Sequence, residues 1–302
     1  MSLHGPVHHL DSDERAAMLH LFARLTPALR HAPLGDSEWV RLASTASPDF
    51  ACAWATDADA GLVIAYAQVT RLPADAVWVA ELVVDSEYNN RLVDLGTPLL
   101  ARALKGSGEH THYWISDPSP AHLEIVARLG LHEHRILHQM KRPLPLELPD
   151  ELRGLTTRPF VVGQDEAALL ELNRRAFASH PDQGRMTRAQ LDERMAQPWF
   201  DPAGCLMCEI DGRLAGFCWT KLFAEYEPPL GEIHIIAVAP EYAGRGLGPR
   251  LVAAGLEHLT AKGAGEGVLF VEGDNLGALA MYERLGFVVT RTDRAFATSS
   301  HG

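Results

Sequence analysis

The part of the sequence best suited to bind an anion is a glycine-rich turn at residues 244–248. This stretch holds three glycines and Arg245. It lies between an apolar run at 233–238 that predicts a buried strand and an apolar spacing at 249–259 that predicts a helix. Glycines at such a turn let the backbone present its N–H groups to an anion, and the helix N-terminus adds roughly half a positive charge. Because the Gly-Lys-Ser/Thr ending of a P-loop is missing, the stretch predicts a diphosphate-binding turn of another type. Glycines that serve only a tight bend are the alternative.

Cysteine and histidine, the usual ligands of metals and redox centres, give weaker signals. The cysteines are Cys52, Cys205, Cys208 and Cys218. Residues 205 and 208 have the C-x-x-C spacing, but no second pair follows to complete a metal site, and their surroundings favour small core residues of a strand. The pairs 110/112 and 132/134 are histidines that alternate like residues on one face of a strand. We therefore expect no metal in this protein.

Length, composition and charge exclude several classes of protein. The chain has 302 residues, 47% of them hydrophobic, which is enough for two domains with sizeable cores. No apolar run approaches the roughly 18 residues of a membrane-spanning helix, and the N-terminus lacks the apolar segment of a secretory signal. The net charge of −12 argues against nucleic-acid and anionic-membrane partners. We expect a cytoplasmic monomer.

The elements that must position the turn occur twice, with a period of about 150 residues that suits tandem domains. In the first half the pattern predicts strands at 77–84 and 111–115, helices at 95–104 and 120–129, and a last strand that ends near 140. In the second half it predicts strands at 232–238 and 268–271, helices at 249–259 and 276–285, and a last strand that ends near 296. The last helix of each half ends at a Leu-Gly pair, as helix C-termini prefer.

A proline-rich stretch separates the two halves. Prolines stand at positions 143, 145, 149 and 159, a composition typical of a linker. We place the boundary there, which gives an N-terminal domain at 1–148 and a C-terminal domain at 149–302.

The corresponding turn of the first half is unsuited to bind a phosphate. Setting Val84 against Val238 places residues 89–96 opposite the glycine-rich turn. This loop is two residues longer, keeps one glycine and carries Asp94. Its carboxylate would repel a phosphate, and its branched side chains would keep the backbone at a distance.

Two ionisable residues of the second half also have no counterpart in the first. In the same alignment Glu232 is matched by Trp78. Aligning the glycines that follow the last helices places Val126 opposite Tyr282. Because the turn and both ionisable groups are missing together, we predict that the first domain is non-catalytic. Ordinary surface divergence is the alternative.

The second half resembles the Gcn5-related N-acetyltransferase superfamily. Its members carry an Arg/Gln-x-x-Gly-x-Gly/Ala loop between a strand and a helix, which falls here on residues 243–248, with Ala243 in place of the usual Gln or Arg. The resemblance covers residues 203–290 and, less closely, 36–140. It implies an α/β fold of the α+β type, with two tandem domains that are each a splayed, mixed and mostly antiparallel sheet flanked by helices. It also implies acetyl-CoA as the co-substrate.

Shorter runs of the chain are similar to the mycothiol synthase family of tandem acetyltransferases. These runs are AFASHPDQG at 176–184, WFDP at 199–202, WTK at 219–221, GE at 231–232 and VEGDN at 271–275. The similarity covers most of the chain from 160 to 298. It implies acetylation of the cysteinyl amine of the cysteine–glucosamine–inositol precursor, desacetylmycothiol, to give mycothiol and CoA. The partner would be a small aminosugar thiol.

The resemblance implies two catalytic residues. An ammonium has no lone pair, so a carboxylate near the incoming amine would remove its proton, and Glu232 opens the central strand where such a base is needed. Tyr282 lies on the helix where the superfamily places a tyrosine that donates a proton to the departing thiolate. A solvent-facing strand-end glutamate and a core tyrosine are the alternatives.

Main-chain groups would bind most of the co-substrate. The strand would bind the pantetheine arm and the thioester oxygen, the turn the diphosphate, and the last helix the pantetheine arm again. These residues are Ile236, Ala237, Val238, Ala243, Gly244, Arg245, Gly246, Leu247, Gly248, Pro249, Asn275, Leu276, Gly277, Ala278, Leu279 and Ala280. In this family the first half can also hold acetyl-CoA, and its contacts here would be Leu82, Val83 and Val84.

The substrate contacts are implied by the resemblance as well. They are Asp36, Asp182, Lys221, Glu232 and Phe270. Phe270 replaces a family tyrosine and therefore lacks its hydroxyl. A turn residue at 182 and a surface charge at 221 are the alternatives for those two positions.

Two other functions stay open at this point. An acetyltransferase of another amine, such as a peptide N-terminus or an aminoglycoside, would differ in its rates on those amines. A non-catalytic acetyl-CoA-binding protein would bind the co-substrate and transfer nothing. The run at 180–184 favours the mycothiol reading over the first, and the intact residues 232 and 282 oppose the second.

Overall fold

The chain forms two compact units in the computed structural model. The structure describes residues 1–29, 48–71, 77–108, 110–145, 147, 149–178, 184 and 186–298. The first unit comprises Met1–Ile136 with Thr292–Gly302, and the second comprises Leu137–Arg291.

The first unit is a mixed sheet with helices on both faces. Its helices are α1 (Ser12–Leu29), α2 (Leu92–Leu104) and α3 (Pro120–Arg128). Its strands are β1 (Ser2–Val7), β2 (Phe50–Thr56), β3 (Val63–Arg71), β4 (Trp78–Val84), β5 (Thr111–Ser116), the start of β6 (His132–Pro143) and the end of β12 (Val288–Ala297). Strands β1 to β4 pair antiparallel in sequence order, β4 pairs parallel with β5, and β5 pairs antiparallel with β12.

The second unit repeats this arrangement. Its helices are α4 (Glu166–Ala176), α5 (Arg188–Met195), α6 (Leu247–Ala261) and α7 (Leu276–Arg284). Its strands are β7 (Arg158–Pro159), β8 (Cys205–Ile210), β9 (Arg213–Phe223), β10 (Leu230–Val238) and β11 (Glu266–Glu272), together with the end of β6. Strands β7 to β10 pair antiparallel in sequence order, β10 pairs parallel with β11, and β11 pairs antiparallel with β6. The expected fold class, two tandem units with mixed and mostly antiparallel sheets, is confirmed.

The strand that closes each sheet comes from the other half of the sequence. In the second unit β11 pairs with residues Leu137–Pro143, and in the first unit β5 pairs with Asp293–Ala297. The boundary predicted at 148/149 stays a prediction about where the sequence repeat divides. Strand pairing divides the chain within β6 and within β12, because each part of these strands belongs to the unit that supplies its hydrogen-bonding partners.

Each sheet is covered on both faces by apolar side chains. In the second unit one core lies between the sheet and helices α6 and α7, with Ile233, Leu251 and Leu269 among its residues. The other core lies on the α4 and α5 face and includes Leu169, Phe217 and Trp219. We call this second surface the α4 face of the sheet.

The cysteines lie in these cores. Cys208 and Cys218 belong to the core under α6 and α7, whereas Cys205 belongs to the core on the α4 face. The two members of the C-x-x-C run therefore lie on opposite faces of β8. Burial raises the pKa of the Cys218 thiol to about 12 and also raises that of Cys205. These features agree with small core residues and argue against a redox pair.

Candidate active site

Strands β10 and β11 part in the middle of the second sheet. Their parallel pairing runs from Leu230 to Glu232 on β10 and ends at the pair Glu232/Val268. Strand β10 nevertheless continues to Val238 and β11 to Glu272. This opening between β10 and β11, which we call the gap, begins directly after Glu232.

A β-bulge at His234 bends β10 at the start of the gap. The pairing with β9 shifts by one residue between Ile233 and Ile235, so that His234 is the extra residue. A bulge kinks a strand, increases its twist and re-aims side chains. Here it also changes which residues face each core, because Ile233 and Ile236 both belong to the core under α6.

Backbone groups of β10 face the gap beyond the bulge. Ala239 donates a hydrogen bond to Ala215 of the strand next to it, at 2.8 Å. Hydrogen-bonded pairs alternate along an antiparallel ladder, so Ala237 also bonds toward β9, while Ile236 and Val238 point the other way. The strand residues predicted to bind the pantetheine arm therefore include two whose N–H and C=O groups face the gap.

The glycine-rich turn follows β10 and leads into α6. A short 3-10 helix covers Pro240–Tyr242, after which Gly244 and Gly246 adopt φ values of +73° and +77°. Only glycine takes up this left-handed region at no steric cost. A Cβ at either glycine would meet no atom within 4 Å, so neither glycine is required by close packing.

The start of α6 is suited to an anion. Gly246 is its N-cap residue and offers no side chain to accept hydrogen bonds from the first N–H groups. These N–H groups have no partner inside the helix, and the helix dipole adds positive potential there. Arg245 is exposed in the same turn, with its guanidinium 5.8 Å from the centre of the Tyr242 ring. The residues present therefore fit a diphosphate.

The last helix of the second unit packs beside this turn. Asn275 caps α7, because its side-chain oxygen accepts a hydrogen bond from the Ala278 N–H at 3.1 Å. A Cβ at Gly248 would lie 3.3 Å from the sulfur of Met281 on α7. The predicted co-substrate residues at 243–249 and 275–280 thus lie at the starts of two helices that contact each other.

Glu232 lies at the mouth of the gap with its carboxylate held by an imidazole. Its side chain is 12% exposed, and its Oε1 lies 2.8 Å from Nδ1 of His234. The His234 ring contacts Trp199 and Trp219 edge to face, at centroid distances of 5.3 and 5.6 Å. The base predicted from the sequence is therefore a partly enclosed carboxylate and not a solvent-facing strand end.

Lys221 lies directly across the β9–β10 ladder from Glu232. Its ammonium is 4.8 Å from the centre of the Trp199 ring and 4.3 Å from that of Phe223. Cation–π contacts of this kind hold a charge in place without neutralising it. Phe270 lies on β11 and is 40% exposed, with the Arg291 guanidinium 5.9 Å from its ring centre.

Tyr282 lies on α7 and is buried in the core under α6 and α7. Its ring contacts Phe287 edge to face, at a centroid distance of 5.8 Å. Burial raises the pKa of this phenol above its ordinary value, with the neighbouring Cys218 as a second cause. The hydroxyl is therefore protonated at neutral pH.

Two predicted substrate residues cannot be placed. Asp36 and Asp182 lie outside the described residues. Their roles stay predictions from the family resemblance.

The first unit has the parting strands without the glycine-rich turn. Its parallel pair β4/β5 ends at Ala80/Tyr113, while β4 runs on through Leu82, Val83 and Val84. A 3-10 helix at Ser86–Arg91 then leads straight into α2.

The glycine kept by this loop has a packing role. Gly96 lies inside α2, where a Cβ would come within 2.7 Å of Leu82 and 2.8 Å of Ile125. It is a close-packing glycine of the helix, and Asp94 lies in the first turn of the same helix. The first unit therefore lacks the left-handed glycines that shape the turn of the second.

The bulge also corrects the alignment of the two halves. Thr70 pairs with Val79 in the first unit at the ladder position where Lys221 pairs with Glu232 in the second. The counterpart of Glu232 is therefore Val79 and not Trp78. A bulge adds one residue that sequence alignment cannot see, but the conclusion that the first half lacks the carboxylate at this position is unchanged.

Sequence reasoning missed His234 and treated Trp199 only as part of a shared run. The signal for His234 was its position two residues after Glu232, since residues two apart on a strand share a face. Within the described ranges, no group of three or more His, Cys, Asp or Glu side chains gathers to hold a metal ion. No helix in those ranges is both long and apolar enough to cross a membrane.

Comparisons with known proteins identify the family. A model described as the acetyltransferase (GNAT) family matches residues 167–287. The mycothiol acetyltransferase of Rhodococcus opacus is 38% identical over 296 residues, which are 95% of this chain and 96% of the relative. That of Streptomyces coelicolor is 41% identical over 245 residues, which are 80% and 78% of the two chains.

Solved structures share the fold at lower identity. A GCN5-related N-acetyltransferase from Sphaerobacter thermophilus superposes with a TM-score of 0.67 at 21% identity, over 98% of this chain and 95% of that one. A tandem GNAT protein from the clavulanic acid biosynthesis pathway gives 0.64 at 16% identity, over 98% of both chains. The structures support the tandem fold, and the curated relatives extend over nearly the whole chain. The chain belongs to the mycothiol acetyltransferase family.

Proposed function

We propose that the second unit transfers the acetyl group of acetyl-CoA to the cysteinyl amine of desacetylmycothiol, giving mycothiol and CoA. The observation that carries the proposal is the position of Glu232. It lies where β10 and β11 part, on the same strand that leads into the glycine-rich turn. Family membership supports the choice of amine.

Main-chain groups of the second unit would hold the co-substrate. The N–H groups of the glycine-rich turn and of the start of α6 would bind the diphosphate, because they have no side-chain cap. Groups of Ile236 and Val238 that face the gap would bind the pantetheine arm. When bound, acetyl-CoA supplies the activated acyl group.

Glu232 would prepare the nucleophile. The cysteinyl amine reaches the site as an ammonium, which has no lone pair, so its nitrogen must first lose a proton. The carboxylate of Glu232 can take that proton directly or through one water molecule. The free amine then attacks the acyl carbon.

Tyr282 would complete the proton balance. The sulfur that leaves the acyl carbon departs as a thiolate, and the Tyr282 phenol would give it a proton. Its raised pKa keeps that proton available at neutral pH. The nitrogen loses its second proton as the amide forms, and that proton balances the one that the phenol has given. Asn275 and the first turn of α7 would touch the pantetheine arm close by.

The head group of the substrate would contact the α4 face. Lys221 offers an ammonium beside the indole of Trp199, and Phe270 an exposed ring. A sugar ring and its hydroxyl groups suit such a combination of charge and aromatic surface. Asp36 and Asp182 remain predicted contacts of the substrate. The monomeric state and the cytoplasmic location also remain predictions.

A panel of amines tests the proposal. The purified protein is incubated with acetyl-CoA and one amine at a time. The amines are desacetylmycothiol, glucosaminyl-inositol lacking the cysteine, a peptide bearing a free N-terminus, and an aminoglycoside. CoA release is measured for each. We expect kcat/KM to be highest for desacetylmycothiol, by about 100-fold or more. A site that hydrogen-bonds the polar groups of one substrate discriminates strongly against analogues that lack those groups.

Two outcomes would overturn the assignment. Faster transfer to the peptide or to the aminoglycoside would place the chain among acetyltransferases of another amine. Tight binding of acetyl-CoA with no transfer to any amine would indicate a non-catalytic binding protein.

A further inference from the structure

Within the described part of the chain, His234 is the hydrogen-bond partner of the Glu232 side chain. The two side chains lie 2.8 Å apart, between Nδ1 of the ring and Oε1 of the carboxylate. An ionised carboxylate can only accept hydrogen bonds, so the proton of the neutral imidazole is on Nδ1 and Nδ1 donates. The tautomer of His234 is thus fixed by Glu232.

The other nitrogen of the ring is left without a partner. Nε2 of His234 is buried and accepts no hydrogen bond from any described residue. The indole Nε1 of Trp219, which is 1% exposed, is likewise buried without a partner among those residues, although the two rings are in edge-to-face contact. The imidazole therefore bonds to the carboxylate while a neighbouring N–H donor stays unused.

This arrangement is hard to explain by packing alone. A buried polar atom without a partner is unfavourable, and an apolar ring such as phenylalanine would fill the space between Trp199 and Trp219 without that penalty. The histidine is better explained by the bond that it does make. The bulge at this residue points the same way, since bulges near active sites re-aim side chains.

We infer that His234 is a positioning residue that holds the Glu232 carboxylate in the geometry needed to take the proton from the amine. The inference rests on the proposed function. Nδ1 of His234 accepts no proton during the reaction, because it already carries the proton that it donates to Glu232. Its contribution is to restrict the rotamers of Glu232, and a shift of about 1 Å in a reacting group can cost roughly 100-fold in rate.

Two substitutions separate this role from packing. His234→Phe keeps an aromatic ring between the tryptophans and removes the N–H donor. His234→Asn loses the ring but places an amide N–H near the position of Nδ1. If His234 positions Glu232, His234→Phe lowers kcat by about 10-fold to 100-fold with little change in the KM for acetyl-CoA, and His234→Asn stays within about 3-fold of the native kcat.

A purely packing role predicts the reverse order. His234→Phe would then keep kcat, and His234→Asn would lose both kcat and thermal stability. That result would overturn the inference. Melting temperature and acetyl-CoA affinity are measured for both variants, and His132→Asn, at an exposed histidine, serves as the matched control.

A double-mutant cycle adds a second readout. If His234 acts through Glu232, His234→Phe has no further effect on kcat in a protein that already carries Glu232→Gln, whereas independent roles give additive losses. Additive losses would contradict the inference. Should the native enzyme fail to acetylate desacetylmycothiol, the proposed function fails first. If the native enzyme acetylates desacetylmycothiol and the variants give the result expected of a packing role, only the role of His234 is contradicted.

Discussion

Glu232 and Tyr282 have opposite surroundings, which suits the opposite proton transfers proposed for them. The Glu232 side chain keeps 12% of its surface exposed at the gap and has an imidazole partner. Tyr282 is buried, and burial raises its pKa above the ordinary value of about 10. An acid whose pKa is raised stays protonated at every pH below that ordinary value. The phenol is therefore a proton donor across the neutral range.

Replacing Tyr282 with Phe should lower kcat without destabilising the fold. The change removes only the hydroxyl, so we expect a loss of about 100-fold in kcat, the usual scale of a lost general acid, with the KM for the amine nearly unchanged. Steady-state kinetics and thermal unfolding are the measurements. Tyr113→Phe, at a buried tyrosine of the first unit whose pKa burial also raises, is the matched control and should keep full activity.

The core-tyrosine alternative makes a different prediction for the same variant. If the hydroxyl only bonds within the core, Tyr282→Phe costs about 1 kcal/mol of the free energy of unfolding and leaves kcat intact. That pair of results would remove Tyr282 from the mechanism.

At the residue scale the sequence predicted the ionisable side chains of the site and missed His234, the hydrogen-bond partner of Glu232. Glu232, Lys221 and Tyr282 stand out because their types and family positions imply chemistry. The spacing of His234 shows only that it shares a strand face with Glu232, whereas the bulge at which it lies is set by the pairing of two strands. Strand pairing is a long-range property that a single sequence does not display.

At the element scale the glycine-rich turn is what distinguishes the second unit from the first. Both units have a parallel pair of strands that parts, at Glu232/Val268 and at Ala80/Tyr113. Only the second follows it with a left-handed N-cap, at Gly246; in the first, Arg91 is the N-cap of α2 with φ −113°. The turn could be predicted from its glycines, because a positive φ is a local requirement of the backbone.

Gly246→Ala should weaken acetyl-CoA binding beyond its effect on stability. A Cβ at φ +77° costs roughly 1 kcal/mol of stability through backbone strain. It also places a methyl group at the predicted diphosphate site. We expect the Kd for acetyl-CoA to rise about 10-fold, because the diphosphate could no longer come as close to the backbone N–H groups of the turn. Calorimetric titration and thermal unfolding measure the two effects.

Gly61 offers the matched control for this change. It has φ +65° in a turn of the first unit, and a Cβ added there, as at Gly246, would meet no atom within 4 Å. Gly61→Ala should therefore carry a similar strain cost and leave the Kd for acetyl-CoA unchanged. Equal changes in Kd for the two variants would show that the turn is not the binding site.

At the scale of the whole molecule, the repeat was visible in the sequence but the exchange of closing strands was not. Both halves predict a last strand, and both strands are present as β6 and β12. Their pairing with β11 and β5 joins residues that are more than a hundred positions apart. Periodicity and turn signals are local, so they predict that a strand exists and say nothing about which strand it joins.

The loss of the turn in one unit predicts that each chain binds a single acetyl-CoA tightly. Leu82, Val83 and Val84 still border a parting pair of strands, but the helix start beyond them has no glycine turn, and Asp94 lies in its first turn. Isothermal titration should give a stoichiometry close to one, and Gly246→Ala should weaken that one event. Two tight sites of similar affinity would show that the first unit binds the co-substrate without the turn.

The most direct test of the account compares Glu232→Gln with the native protein in binding and in turnover. The amide keeps the size of the carboxylate and cannot take a proton from the amine. We predict that kcat for acetylation of desacetylmycothiol falls by about 100-fold or more while the Kd for acetyl-CoA, measured by titration on the same preparations, stays the same. Unchanged turnover in this variant would contradict the proposed role of Glu232, because the amine would then lose its proton without the carboxylate at the point where β10 and β11 part.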